Sequence, residues 1–82
     1  MKISIIVPIY NEEKTIESLI ESLIPLEERC EIIFVDGGST DLTIEKINHR
    51  FPVLLSEKGR AKQMNLGAQN STGDILFFLH CD

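Results

Sequence analysis

The chain has 82 residues, 43% of them hydrophobic and 26% charged, with a net charge of −5. That length allows one small domain burying roughly two-thirds of the surface its unfolded chain exposes, and the composition excludes a disordered chain. The acidic excess argues against non-specific nucleic-acid binding, whose affinity comes from basic patches, and any phosphate-bearing ligand needs a local basic group or a metal beside it.

Ile3 to Ile9 is a near-continuous apolar, β-branched run, the pattern of a strand covered on both faces, with Pro8 near its end where a missing N–H costs little. The opening MKISIIVPIYNEE has one lysine, a short apolar run and then two glutamates, so it reads as a strand rather than a signal peptide. No run approaches the roughly 18 apolar residues of a membrane span. Asn11 can cap a first helix with Glu12 and Glu13 in its first turn. Ile16, Leu19, Ile20, Leu23 and Ile24 fall on one face of it, and Pro25 stops it.

A short polar connection, Leu26 to Glu31, leads to the stretch EIIFVDGGSTD, a buried strand over Ile32 to Val35 that runs into an acidic, glycine-rich turn. Ser39 or Asp41 caps a second helix whose inward stripe is Ile44, Ile47 and Phe51, ended by Pro52. Val53 to Leu55 is a short third strand. A third helix runs from about Arg60 to Gln69, with Ala61, Met64 and Ala68 on one face. Asn65 shares that face, so it points inward, hydrogen-bonded to a neighbouring loop. Gly67 allows close helix–sheet packing. Asn70 to Gly73 is a turn, and Ile75 to Leu79 a fourth strand.

The order β-α-β-α-β-α-β, with strands covered on both faces, implies parallel βαβ units in a Rossmann-like α/β fold, one domain over residues 1–82. In a parallel sheet the residues after each strand share one edge: Tyr10, Asn11 and Glu12, then Asp36, Glu57, and His80 with Asp82. Open α/β sheets bind ligands there.

The first turn, PIYNEE, has no glycine, so the G-x-G-x-x-G dinucleotide fingerprint is absent, as is any G-x-x-x-x-G-K-[ST] phosphate loop. A tight turn with a helix cap accounts for Gly38, Ser39 and Asp41, but not for Asp36, whose carboxylate could accept hydrogen bonds from a base or a ribose. Lys58, Arg60 and Lys62 form the basic cluster. Lys58 and Lys62 read as a solvated helix start, and Arg60 is the better placed for a diphosphate. His80-Cys81-Asp82 lacks the three or four N/S ligands zinc wants. Cys81 reads as a buried strand residue, and Asp82 as a hard oxygen ligand suited to Mg²⁺ or Mn²⁺. Neither Cys81 nor Cys30 belongs to a disulfide framework, and a reduced, cytoplasmic setting is expected.

The segments IIVPIYNEE, IIFVDGGSTDLT, GRAKQMNLGA and GDILFFLHCD, in that order, resemble family 2 glycosyltransferases, inverting enzymes with a GT-A fold, and the GRAxQMNxGA and FLHxD variants look most like an uncharacterised bacterial subgroup. The resemblance implies a three-layer α/β/α half of that fold and a nucleotide-diphosphate sugar as donor. By position, Pro8, Tyr10 and Glu12 would line the base pocket, Asp36 would contact base or ribose, and Arg60 would lie near the nucleotide. HCD falls on the family's D-x-D motif, with Asp82 as the metal-binding aspartate and His80 where the family has its first acidic residue.

The family's general base and acceptor-binding segments lie beyond D-x-D. The expectation is therefore a donor-binding half, incomplete relative to a full transferase, with the acceptor unknown. A lipid-linked acceptor would bring it to the membrane periphery. The alternative is a non-catalytic nucleotide-binding module whose free edge beside the fourth strand is covered by self-association. A nucleotidyltransferase of related fold would want a glycine-rich, basic first loop, which PIYNEE is not.

Overall fold

The computed structural model describes residues 1–47 and 49–80. Four strands, β1 (Ile3–Ile9), β2 (Cys30–Asp36), β3 (Val53–Leu55) and β4 (Ile75–Phe78), alternate with helices α1 (Ile16–Leu23), α2 (Thr43–Ile47) and α3 (Arg60–Asn70). The strands form one parallel sheet in the order β3-β2-β1-β4. Ile9 pairs with Asp36 and Asp36 with Leu55, so the carboxyl ends of three strands are level. The chain adds β2 and β3 on one side of β1, then returns to place β4 on the other. The switch point beside β1 is where such sheets open a crevice.

Alternation along each strand divides the core. Ile5, Val7 and Ile9 with Ile32 and Phe34 face α1 and α2, where Ile16, Leu23, Ile47 and Phe51 complete the larger cluster. Ile6, Ile33 and Val35 face α3 and pack with Leu54 and Leu66. These are the expected three layers. Gly67 lets α3 come close: a Cβ there would collide with Ile6 Cγ2 and lie 3.0 Å from Val35 Cγ2.

At the amino edge, a polar knot ties β4 to the centre of the sheet. Ser4 Oγ donates to Glu31 Oε1 at 2.8 Å, and the Gly73 and Thr72 N–H groups donate to Ser4 Oγ at 2.9 Å and to Glu31 Oε1 at 2.8 Å. The Thr72 N–H and the Ser4 hydroxyl hold the Glu31 carboxyl below its ordinary value of 4.5.

Four expectations need correction. Strand β4 is not covered on both faces: all four of its residues are exposed, Phe77 at 61%, because α3 lies over β1 and β2 and α1 and α2 pack on the other face of the same two strands. The inward face of α3 is Gln63, Leu66 and Gly67, so Ala61 and Asn65 are exposed and Asn65 has no inward bond to make. Asn11 caps no helix. It adopts a left-handed backbone (φ 50°), which asparagine tolerates, and α1 starts only at Ile16 with Thr15 before it. Finally, Pro25 sits inside a one-turn 3₁₀ helix, Ile24–Leu26, that follows directly on α1.

Candidate functional site

The β2 turn and the β1 loop are built as one unit. The Asp36 carboxylate is almost fully buried, at 1% exposure. Its Oδ2 accepts the N–H groups of Gly38 (2.9 Å) and Ser39 (2.8 Å), and its Oδ1 accepts the Ser39 hydroxyl at 2.5 Å. Gly38 takes a φ of 99°, open to glycine at little cost. The turn therefore does account for Asp36, contrary to the sequence expectation. The signal was present in the sequence: Asp followed two and three residues later by Gly and Ser is an Asx-type turn.

The turn then holds the loop after β1. Ser39 Oγ accepts the Asn11 N–H, and the Thr40 N–H donates back to Asn11 Oδ1, both at 2.8 Å. Thr43 Oγ1 accepts the Glu12 N–H at 2.8 Å, and Asp41 Oδ2 accepts the Glu13 N–H at 3.3 Å. Burial pushes the Asp41 carboxyl up, but the Thr43 hydroxyl and the Thr43 and Glu13 N–H groups outweigh it and leave it below its ordinary value of 3.8. Asp41 Oδ1 also accepts the Thr43 N–H at 3.0 Å, so it is the cap of α2.

On the other face of the sheet edge, Pro8, Ile9, Tyr10 and Glu12 meet Lys58, Gly59, Arg60, Gln63 and His80 around a cleft of about 200 Å³. Lys58 Nζ lies 4.2 Å from the centroid of the Tyr10 ring. Gly59 has a φ of 148°, which brings the chain into α3 by a route open to glycine. Gln63 is 5% exposed, and its amide donates to the carbonyls of Ile9 at 2.8 Å and Val35 at 2.9 Å. The α3 N-cap, Gly59, makes no side-chain cap hydrogen bond, and Gly59 and Arg60 both line this cleft, at the positive end of the helix dipole.

Of the residues picked from sequence, Pro8, Tyr10, Glu12 and Arg60 come together here, while Asp36 stands behind them and is not among the lining residues. Asp82, expected as a metal ligand, and Cys81, expected as a buried strand residue, lie outside the described residues. Among the described residues no group of three His, Cys, Asp or Glu side chains is placed to hold a metal. Sequence reasoning missed Gln63; Lys58 is exposed, as a solvated helix start should be, but it also lines the cleft. Gln63 was findable, since it lies one turn before Gly67 and must share its face.

A parallel sheet with a polar and basic cleft at its switch point defines an open, doubly wound type of α/β domain, the kind that takes ligands at that edge. The comparisons make that specific: the family described as Glycosyl transferase family 2 matches residues 4–82, and the chain belongs to it. An uncharacterized glycosyltransferase of Haemophilus influenzae is 36% identical over 85 residues, covering 98% of this chain and 29% of that protein. An undecaprenyl-phosphate 4-deoxy-4-formamido-L-arabinose transferase of Proteus mirabilis is 30% identical, over 99% of this chain and 29% of the relative.

The glucosyl-3-phosphoglycerate synthase of Mycobacterium tuberculosis, solved with Mn²⁺, UDP and glucosyl-3-phosphoglycerate, superposes with a TM-score of 0.85 at 33% identity, over 99% of this chain and 33% of that one. The same synthase has been solved with Mg²⁺ and UDP. The fold is thus that of the GT-A transferases, and the chain spans about a third or less of the length of these proteins.

Proposed function

We propose that this chain is the donor-binding part of a glycosyltransferase, receiving a nucleoside diphosphate sugar in the cleft beside β1. The observation that supports it is the convergence of Tyr10 and Glu12 with Lys58 and Arg60, from two segments far apart in the chain, on one cleft at the sheet's switch point. In this reading Pro8 and the Tyr10 ring offer a stacking surface to the base. Glu12 accepts hydrogen bonds from base or ribose. Asp36 holds the loop that presents them, and its Oδ1 can accept one further hydrogen bond. Arg60, Lys58 and the positive end of the α3 dipole receive the diphosphate, an anion that the net charge of −5 would otherwise repel.

In this reading Asp82, two residues after His80 in the sequence, supplies the carboxylate suited to Mg²⁺ or Mn²⁺. The cation would offset charge on the departing diphosphate. Sugar transfer is then an inverting displacement at the anomeric carbon, to an acceptor hydroxyl whose deprotonating base is assigned to none of these residues. The acceptor is open. The Proteus mirabilis relative is named for a lipid-linked phosphate, the class that would place such an enzyme at the membrane periphery, and no helix among the described residues is long and apolar enough to cross a membrane.

The test is calorimetric titration of the chain with UDP and with GDP, each with Mn²⁺. Micromolar binding of either, weakened at least tenfold by Arg60→Ala, is expected, since one charge-assisted phosphate contact is worth about 1.5–3 kcal/mol. Absence of binding by any nucleoside diphosphate would sink the reading. The exposed Ile75, Leu76, Phe77 and Phe78 support a second, compatible reading, self-association along the free β4 edge. Light scattering checks it, and a clean monomer at tens of micromolar would rule it out.

A further inference from the structure

We propose that Gln63 is a positioning residue of the donor cleft, fixing the Lys58-Gly59-Arg60 segment against the carboxyl ends of β1 and β2. The inference rests on the donor-site reading above. A primary amide has two N–H donors, and both are used: one reaches the Ile9 carbonyl at 2.8 Å and the other the Val35 carbonyl at 2.9 Å, so one side chain bridges two neighbouring strands. Its Oε1 faces the other way and accepts the N–H of Gly59 at 3.3 Å. The carboxamide thereby links the two strand ends to the residue between Lys58 and Arg60, the two cations of the cleft.

The amide is buried and closely packed. Gln63 is 5% exposed, and a Cβ at Gly37 would sit 3.0 Å from its Cδ and Oε1 and 3.1 Å from its Nε2. The backbone of Gly37 passes against the amide, and its own N–H donates to the same Ile9 carbonyl at 3.0 Å. Gly37 does not have a positive φ, so the position demands glycine for space and not for conformation. A buried amide in such a place is tolerated only when its groups are paired. Here the pairing runs to the start of α3, where Arg60 begins, and so fixes where a guanidinium can meet a phosphate. Placing a charged contact correctly is what a remote positioning group contributes.

The test compares wild type with Gln63→Met, which keeps length and apolar volume but no donors, and with Gln63→Leu. Titration with UDP and with uridine, each with Mn²⁺, separates the phosphate contacts from those to the nucleoside. Gln63→Met is expected to weaken UDP about tenfold and uridine less than twofold, while amide hydrogen exchange at Gly59 and Arg60 speeds up. A double-mutant cycle adds a second readout. Gly37→Ala crowds the amide in wild type, so its effect on UDP affinity should shrink in the Gln63→Leu background.

Equal losses for UDP and uridine, or unchanged UDP affinity with Gly59 exchange unaltered, would overturn the inference while leaving the donor site standing. Wild type that binds no nucleoside diphosphate would remove the donor site, and the inference with it. Faster Gly59 exchange in the variants would then show only a structural tie.

Discussion

The ammonium of Lys58 lies 4.2 Å from the centroid of the Tyr10 ring, so the residue after β1 and the loop before α3 touch across the mouth of the cleft. A cation over an exposed aromatic ring is worth about 0.5–1 kcal/mol, small enough for a ligand to rearrange. A base stacking on Tyr10 would compete with Lys58 for the ring, and a diphosphate would attract the released ammonium. Lys58→Ala is therefore expected to weaken UDP about threefold to tenfold at low salt. Raising the ionic strength should weaken wild type more than the variant, because the variant has lost one screened contact. A titration series in salt checks this, and identical salt slopes would place Lys58 outside the site.

Gly67 is where α3 comes nearest the sheet. A methyl group there meets Ile6 Cγ2 and Val35 Cγ2, fully buried side chains of the neighbouring strands β1 and β2. Gly67→Ala would gain helix propensity of up to about 1 kcal/mol, but overpacking at such a contact costs about 1–3 kcal/mol. The clash should win, and urea unfolding should show a lower midpoint with an unchanged slope. A change to alanine at an exposed position of the same helix, Gln69→Ala, should be neutral within about 0.5 kcal/mol.

These cases show where the sequence was legible. The strand runs around Ile6 and Phe34 are apolar without interruption, so parallel strands covered on both faces could be read directly, and with them the edge on which Tyr10, Glu12 and Arg60 meet. Strand β4 has the same composition, yet it is bare, because coverage is a property of neighbouring elements and not of the strand's own residues. Helix α3 misled for a related reason. Its most apolar stripe, Ala61, Met64 and Ala68, suggested an inward face, whereas the fit of Gly67 against Ile6 turned Gln63 inward instead. Asp36 looked unexplained because two of its three partners are backbone N–H groups, which only the Asx-turn spacing, and not a list of side chains, brings out.

Acid should loosen the domain through two carboxylates. Glu31 and Asp41 both titrate below their ordinary values, 4.5 and 3.8, because hydrogen bonds from Thr72, Ser4 and Thr43 favour the ionised forms. A group whose folded pKa is depressed stabilises the fold above its unfolded pKa, and that contribution disappears as pH falls through the folded one. Stability should thus hold from neutral pH down to about 5 and decline below it as these carboxyls take up protons. Glu31→Gln and Asp41→Asn should each flatten the acid limb of a pH series of urea midpoints. Parallel limbs in wild type and both variants would show that the two groups contribute nothing pH-dependent.

Asp36 is where structure and binding are hardest to separate, and Ser39 separates them. The Asp36→Ala change strips partners from the Gly38 and Ser39 N–H groups and should cost about 3 kcal/mol of stability, the range for hydrogen bonds to a buried charge. It would also weaken UDP binding whether the carboxylate touches the ligand or only holds the loop. The Ser39→Ala change leaves both N–H bonds to Asp36 Oδ2 but removes the hydroxyl that joins Asp36 Oδ1 to the Asn11 N–H. If Asp36 acts through the loop, that single loss slackens the Tyr10–Glu12 segment, and UDP affinity should fall about threefold to fivefold at a stability cost near 1 kcal/mol. If instead Asp36 bonds base or ribose directly, Ser39→Ala frees Oδ1 for the ligand, and affinity should hold or rise. The expected result is the fall, because three of about four acceptor positions on the carboxylate already serve the turn. Measured beside Asp36→Ala under the same titration, an unchanged Ser39→Ala affinity would assign the carboxylate to the nucleoside itself.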